Sequence, residues 1–420
     1  MIHLLTKVLS TERHLGLVTS LSVICPRALQ RQEVYDLFQA IRTKVTRLET
    51  LKIESFTSTT PNSTLAVKLL EGEFKFLRKL ELSWAIHISA ECLTCLVGME
   101  YLQEMSLCVR RDIDLDFLAN GCPSAKAKDH TSERTFPVLK SLKVMAHSLD
   151  QCTALVSLVT SPFLDTINFS YDVQATSALI EAFFRQIQKT CSDAVMISTT
   201  ALSPPRSISL TLKHNLGPFS SAASPFLIHP SQTFSPLLAL RHLRTLRLLH
   251  LGTIAIDDGF LREAAHAWGA HLQELEECGI PWVGVEDSID LPGYVAATLD
   301  GIGEFVTRCP RLERLRMAFD GRGSPGLEAC ANESKGTNGA QDEDVSQGIP
   351  PSLSALQVLN VRDSPIDDPE GVARFLKHVA PALRVICVEG SLDMWRKWRD
   401  VEDRMKLTGT CSFKASRQVI

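Results

Sequence analysis

At 420 residues the chain can bury a large core, and a composition 45% hydrophobic and 22% charged is that of a folded protein, not a disordered one. A net charge of -4 and a pI near 6.3 give no bulk attraction for nucleic acid or anionic lipid. No apolar run approaches the roughly 18 to 20 residues a membrane span needs, and the opening MIHLLTKVLSTERHLGLV is broken by Lys7, Glu12 and Arg13.

In chain order, the first periodic element is VTSLSV (Val18, Leu21, Val23), a weak form of a leucine hexad L-x-x-L-x-L. A helical segment over roughly 30–45 separates it from the first clean hexad, RLETLKI (Leu48, Leu51, Ile53). FLRKLEL (Leu77, Leu80, Leu82) follows, then a predicted helix over 89–100, then YLQEMSL (Leu102, Met105, Leu107). After an inserted stretch at 121–137 come VLKSLKV (Leu139, Leu142, Val144), a helix over 150–160, FLDTINF (Leu164, Ile167, Phe169) and a helix over 174–189. SISLTL, ending at Leu212, is weak, and residues 214–236 read as a long loop.

The second half repeats the pattern. HLRTLRL (Leu243, Leu246, Leu248), a helix over 258–270 and HLQELEE (Leu272, Leu275) come first, with Glu277 breaking the third hexad position. An insertion at 278–293 and a helix over 294–308 precede RLERLRM (Leu312, Leu315, Met317). Residues 321–351, rich in Gly, Ser, Asn and acid without apolar period, read as a disordered insertion. ALQVLNV (Leu356, Leu359, Val361), the helix of DDPEGVARFLKHVAP and ALRVICV (Leu383, Ile386, Val388) complete the series. In that helix Asp368 suits the cap and Pro369 the first position, with Val372, Phe375, Leu376 and Val379 on one face.

Nine clean hexads and three weak ones, many 25 to 29 residues apart, match the period of leucine-rich repeats. The expected fold is an α/β leucine-rich-repeat solenoid of about twelve irregular units over 1–392. A curved parallel sheet lines its concave side, with helices outside and long loop insertions. The tail, 393–420, begins with a stripe of Trp395, Trp398, Val401 and Met405, and is expected to cap the last hydrophobic face.

The hexads, the helix-end pieces NGCP (Asn120–Pro123) and TRCP (Thr307–Pro310), and FPVLKSLKV (Phe136–Val144) resemble the leucine-rich-repeat region of fungal F-box proteins. The opening HLLTKVLSTERHLGLVTSLSV (His3–Val23) is similar to the junction that follows the F-box there; the F-box itself is not present in these residues. The resemblance implies a module that holds a protein target for ubiquitin transfer by a cullin-RING ligase. A ligase adaptor would be a partner only if an upstream F-box exists. An independent repeat scaffold or inhibitor with no ubiquitin role is the alternative.

No enzyme motif accompanies the repeats. Cys92 and Cys95 form a C-x-x-C without a second ligand pair and share a helical face with Leu96 and Met99, which favours core packing over zinc. Asp112, Asp114 and Asp116 lack the glycine and distal glutamate of a calcium loop. The twelve histidines fall in no H-E-x-x-H, and no G-x-S-x-G or phosphate loop occurs. Neither cofactor nor metal is therefore expected, and the dispersed cysteines suit a reducing cytoplasmic or nuclear setting. Alternation points every second strand residue away from the leucines. The charged strip so exposed, Arg247, Glu274, Glu276, Arg314, Arg316 and Arg362, mixes signs and suits a protein partner better than nucleic acid or a membrane.

Overall fold

The computed structural model describes residues 17–25, 41, 45, 47–55, 74–83, 87–88, 90–97, 99–109, 111, 136–197, 207–215, 227–278, 296–323, 354–407 and 413–415. Almost all of the helix expected at 30–45, the Asp112–Asp116 acids, Cys122 and most of the three insertions fall outside those residues. The chain divides into two compact units, Met1–Ser221 and Ala222–Ile420.

In the first unit the hexads become strands β1 (Ser20–Cys25), β2 (Thr50–Ser55), β3 (Lys79–Leu82), β5 (Glu104–Val109), β6 (Ser141–Ala146), β7 (Thr166–Tyr171) and β8 (Ile208–His214). Each pairs in parallel with the next in that order, and the short β4 (His87–Ile88) pairs with β5. Parallel neighbours need a crossover. Among the described residues α1 (Ala90–Val97), α2 (Leu149–Ser157) and α3 (Ser177–Ile197) lie in those connections.

Register explains the hexad. Leu51, Leu80, Met105, Leu142, Ile167 and Leu210 are successive cross-strand partners, so one hexad position forms one continuous buried rung. Ile53 pairs with Leu82, and Leu107, Val144, Phe169 and Leu212 form a second rung. All are buried, and each contributes about 2 kcal/mol of transfer free energy. The weak first hexad ends this stack: Val18 and Leu21 are only half-buried, and Ile24 is exposed.

The second unit repeats the scheme with β10 (Leu243–Leu249), β12 (Glu274–Cys278), β13 (Arg314–Arg316), β14 (Val358–Arg362), β15 (Val385–Gly390) and β16 (Phe413–Ala415), again parallel in that order. A separate pair, β9 (Leu227–Ile228) with β11 (Thr253–Ile254), lies beside it. Five further helices are described: α4 (Pro230–Thr233), α5 (Ser235–Leu238), α6 (Asp258–Trp268), α7 (Leu299–Arg308) and α8 (Pro369–Val379). The last described helix, α9 (Leu392–Met405), precedes β16. The stretch read as a loop at 214–236 therefore holds β9, α4 and the start of α5; prolines in the first turn begin both helices.

Helix starts follow their side chains. Asp257 accepts from the Phe260 amide at 2.7 Å, Thr298 from Gly301 at 3.2 Å and Ser391 from Met394 at 3.3 Å. Asp368 caps α8 with Pro369 at its first turn. The two largest buried side chains satisfy their single donor: Trp268 Nε1 donates to the Leu237 carbonyl at 3.1 Å and Trp398 Nε1 to that of Ser364 at 2.8 Å. Both units are thus α/β solenoids of leucine-rich repeats, with the leucine rungs between the strands and the helices.

Candidate functional site

Side chains that alternate with the rungs stand on the opposite face of the sheet. In the second unit, register sets Thr245, Glu274, Arg314, Val358 and Val385 in one row. Arg247, Glu276, Arg316, Asn360 and Cys387 form the next. Five of the six residues singled out in the sequence are therefore neighbours on adjacent strands.

Their charges are interlocked. Arg247 grips Glu274 through Nη2 at 2.8 and 2.9 Å and reaches Glu276 through Nε at 3.4 Å. Arg316 Nη1 donates to Glu276 at 2.6 Å, and its Nη2 forks onto both oxygens of Glu389 at 2.8 Å. Asn360 Nδ2 donates to the same Glu389 at 3.0 Å. The Glu274 hydrogen bond, outweighing partial burial, raises the Arg247 pKa and keeps its charge fixed. Burial opposes ionisation of Glu389. The hydrogen bonds from Asn360 and Arg316 and the charges of Arg316 and Arg362 outweigh it, so the carboxyl sits below its ordinary value. These pairs are half-buried and forked, so they hold more rigidly than isolated surface bridges.

Arg314 stands apart. It is exposed, and among the described residues it joins no ion pair. Arg362 departs from alternation altogether. Its φ of 51° and a register shift after Asn360 place it opposite Val388, a rung residue. There its side chain, 11% exposed, meets that of Glu277, 5% exposed, at 3.2 Å. The hexad position that Glu277 breaks is thus filled by half of a buried ion pair. Glu389 is the strip residue the sequence reading missed; its position two after Cys387 carries the signal.

In the first unit the corresponding face carries looser pairs. Lys52 lies 2.8 Å from Glu54 and 3.5 Å from Glu81, and Lys79 lies 2.7 Å from Glu104, all substantially exposed. A different feature marks its strand-entry edge. Phe76, Tyr101 and Phe163, each immediately before the first hexad leucine, are 53%, 53% and 46% exposed.

Other chemistry is muted. Cys92, Cys108, Cys152 and Cys309 are buried, and burial pushes the Cys108 and Cys309 thiols up to about 12, far from a reactive thiolate. In α1, Cys92 and Leu96 are both buried, while Cys95 is half-buried. Tyr171 stacks on His214 at 5.3 Å, both buried, and the His214 Nε2 donates to the Asp172 carbonyl at 3.1 Å. Among the described residues no three His, Cys, Asp or Glu side chains cluster in metal-binding geometry. Likewise, among them no helix is long and apolar enough to cross a membrane.

No protein-family model matches the chain, and no curated protein does. Among solved structures it is similar to an internalin from Listeria monocytogenes at 12% identity and a TM-score of 0.45, covering 99% of this chain and 95% of that one. It is also similar to a leucine-rich-repeat protein from Leptospira interrogans, at 13% identity, a TM-score of 0.37 and 98% of each chain. A third likeness is to the complex of Rad7 and Elc1 in yeast, at 11% identity and a TM-score of 0.39, covering 86% of this chain and 67% of that one.

Proposed function

We propose that the chain is a non-enzymatic protein-recognition module whose partner sits on the outward sheet face. The observation that supports this is the interlocked strip from Arg247 to Glu389, with Arg314 exposed among it. Polar side chains held on rigid strands present a fixed pattern of charge without a reactive group. A mosaic that largely cancels itself favours a protein surface over a uniform polyanion. Affinity capture from lysate with the full chain tests it. Reversing Arg314 and Arg316 to glutamate should abolish capture of partners that the wild type retains. Arg314→Glu alone leaves the ladder intact and should weaken the same partners. Unchanged partner sets from both variants would sink the reading.

The finer reading, the target-holding repeats of an F-box type ligase adaptor, is supported by the sequence resemblance alone. Its test is co-purification with the core ligase adaptor of a product that includes any reading frame upstream of Met1. An independent scaffold would bind its partner without that adaptor.

A further inference from the structure

The row where the chain enters the strands of the second unit differs from the ladder above it. Backbone hydrogen bonds connect Arg244, Gln273, Glu313, Gln357 and Arg384 in sequence across five strands, at 2.8 to 3.0 Å. Arg314 lies one residue further along β13, and Arg241 and Arg311 lie at the approach to their strands. All five arginines are exposed, and among the described residues none joins an ion pair. Arg244 Nε donates to the neutral Gln273 side chain, which leaves its charge uncompensated. Against five cations this edge sets one exposed carboxylate, Glu313.

The edge shows its own field. His242 and His271, each immediately before a first hexad leucine, approach to 4.8 Å between ring centroids. Burial, then the neighbouring His271 and Arg241 charges, lower the pKa of His242, so added positive charge is resisted there. The ladder above is charge-balanced by its own glutamates, whereas this edge carries positive charge in excess.

We infer that this arginine edge, together with Val358 and Val385, holds an acidic peptide segment of the recognised protein. The inference rests on the recognition reading above and assigns the partner's chemistry. Arg244 on β10, Arg314 on β13 and Arg384 immediately before β15 are successively two strands apart, about 10 Å at the usual strand spacing. Carboxylates three residues apart on an extended chain are separated by about the same distance, so roughly seven residues reach from Arg244 to Arg384. Half-buried Val358 is the cross-strand partner of Arg314, and half-buried Val385 pairs with Val358 and directly follows Arg384, so the two border the edge and offer an aliphatic seat. Arginine forks favour carboxylates in such a setting. Nucleic acid fits less well: the row is short, interrupted by Gln273, Glu313 and Gln357, and has no Phe, Tyr or Trp for base stacking.

The test is fluorescence anisotropy on the full chain with three labelled probes at two salt concentrations. These are a Glu-rich peptide of about twelve residues containing two leucines, its Lys-for-Glu counterpart and an oligothymidine of similar length. The acidic peptide should bind, and the basic one should bind at least about tenfold more weakly. Arg314→Gln with Arg384→Gln, both at exposed positions, should reduce acidic-peptide binding about tenfold, while Arg185→Gln on α3 should not. Failure of the acidic peptide to bind, or binding indifferent to the double variant, overturns the inference. So does oligothymidine binding as tight and as dependent on the same arginines. Lysate capture separates the two readings: loss of all partners by wild type defeats recognition itself. Partners kept equally by the Arg314/Arg384 variant defeat only the acidic edge.

Discussion

Glu277 and Arg362 show how one residue pair can replace a leucine contact. A carboxylate in a rung position is expensive unless countered, and Arg362 reaches it only because the backbone bulges at φ 51°. Glu277→Leu restores the hexad but leaves the guanidinium facing an apolar side chain. A loss of about 3 kcal/mol is expected, read as a lower midpoint in urea unfolding. Adding Arg362→Met should recover most of it; a double variant no better than the single would deny the coupling. Glu389 sets a second prediction at this scale. Its folded pKa is depressed, so its contribution is complete above the ordinary glutamate value of 4.5 and is lost as pH falls through the lower folded value. The stability gap between wild type and Glu389→Gln should therefore shrink as the pH is lowered below 4.5. A gap constant from neutral pH into strong acid would contradict the depressed value.

Elements in the second unit meet at small residues. A Cβ on Gly269, at the end of α6, would lie 2.4 Å from the Ala265 carbonyl oxygen and 2.5 Å from that of Arg308, at the end of α7. Neither is a side chain that can swing away. Gly269→Ala should force the two helix ends apart, at a cost of about 1 to 3 kcal/mol, measurable by thermal or urea unfolding. Gly301 meets a similar limit, because Asp258 bonds both the amide and the hydroxyl of Thr298 at 2.7 and 2.8 Å. These contacts were illegible in the sequence, since nothing local ties Asp258 to Thr298 or Gly269 to Arg308. What was legible is what repeats. All nine clean hexads occupy buried rungs because a rung needs only the right residue type at fixed spacing. Alternation also placed Arg247, Glu274, Glu276, Arg314 and Arg316 on one face. It failed at Arg362, where a bulge reverses the side chain, and it could not see that Glu389 locks Arg316. Nor did it separate the compensated ladder from the uncompensated edge, which depends on ion pairing across strands.

At the scale of the molecule, each unit is a stack in which a strand is supported mainly by its two neighbours, so stability is distributed by position along the stack. Among the described residues of the first unit, β1 is a terminal strand with Ile24 exposed and Leu21 half-covered, whereas β5 and β6 have full rungs on both sides. Among the described residues of the second unit, the terminal strand β16 is three residues long and pairs only with β15. Before it, α9 buries Trp398 against Phe319 in an edge-on contact at 5.9 Å, so the stack is anchored just short of its end. Amide exchange should follow this order. Protection is expected to rise from β1 through β2 and β3 to β6, and to fall from β14 through β15 to β16. Deuterium uptake by mass spectrometry resolves the gradient at the peptide level. Trp398→Ala should steepen it by exposing β14 and β15 sooner, with β5 and β6 unchanged because they belong to the other unit. If uptake rose equally in all strands on that substitution, the two units would be unfolding as one, and stability would not be distributed by position along the stack.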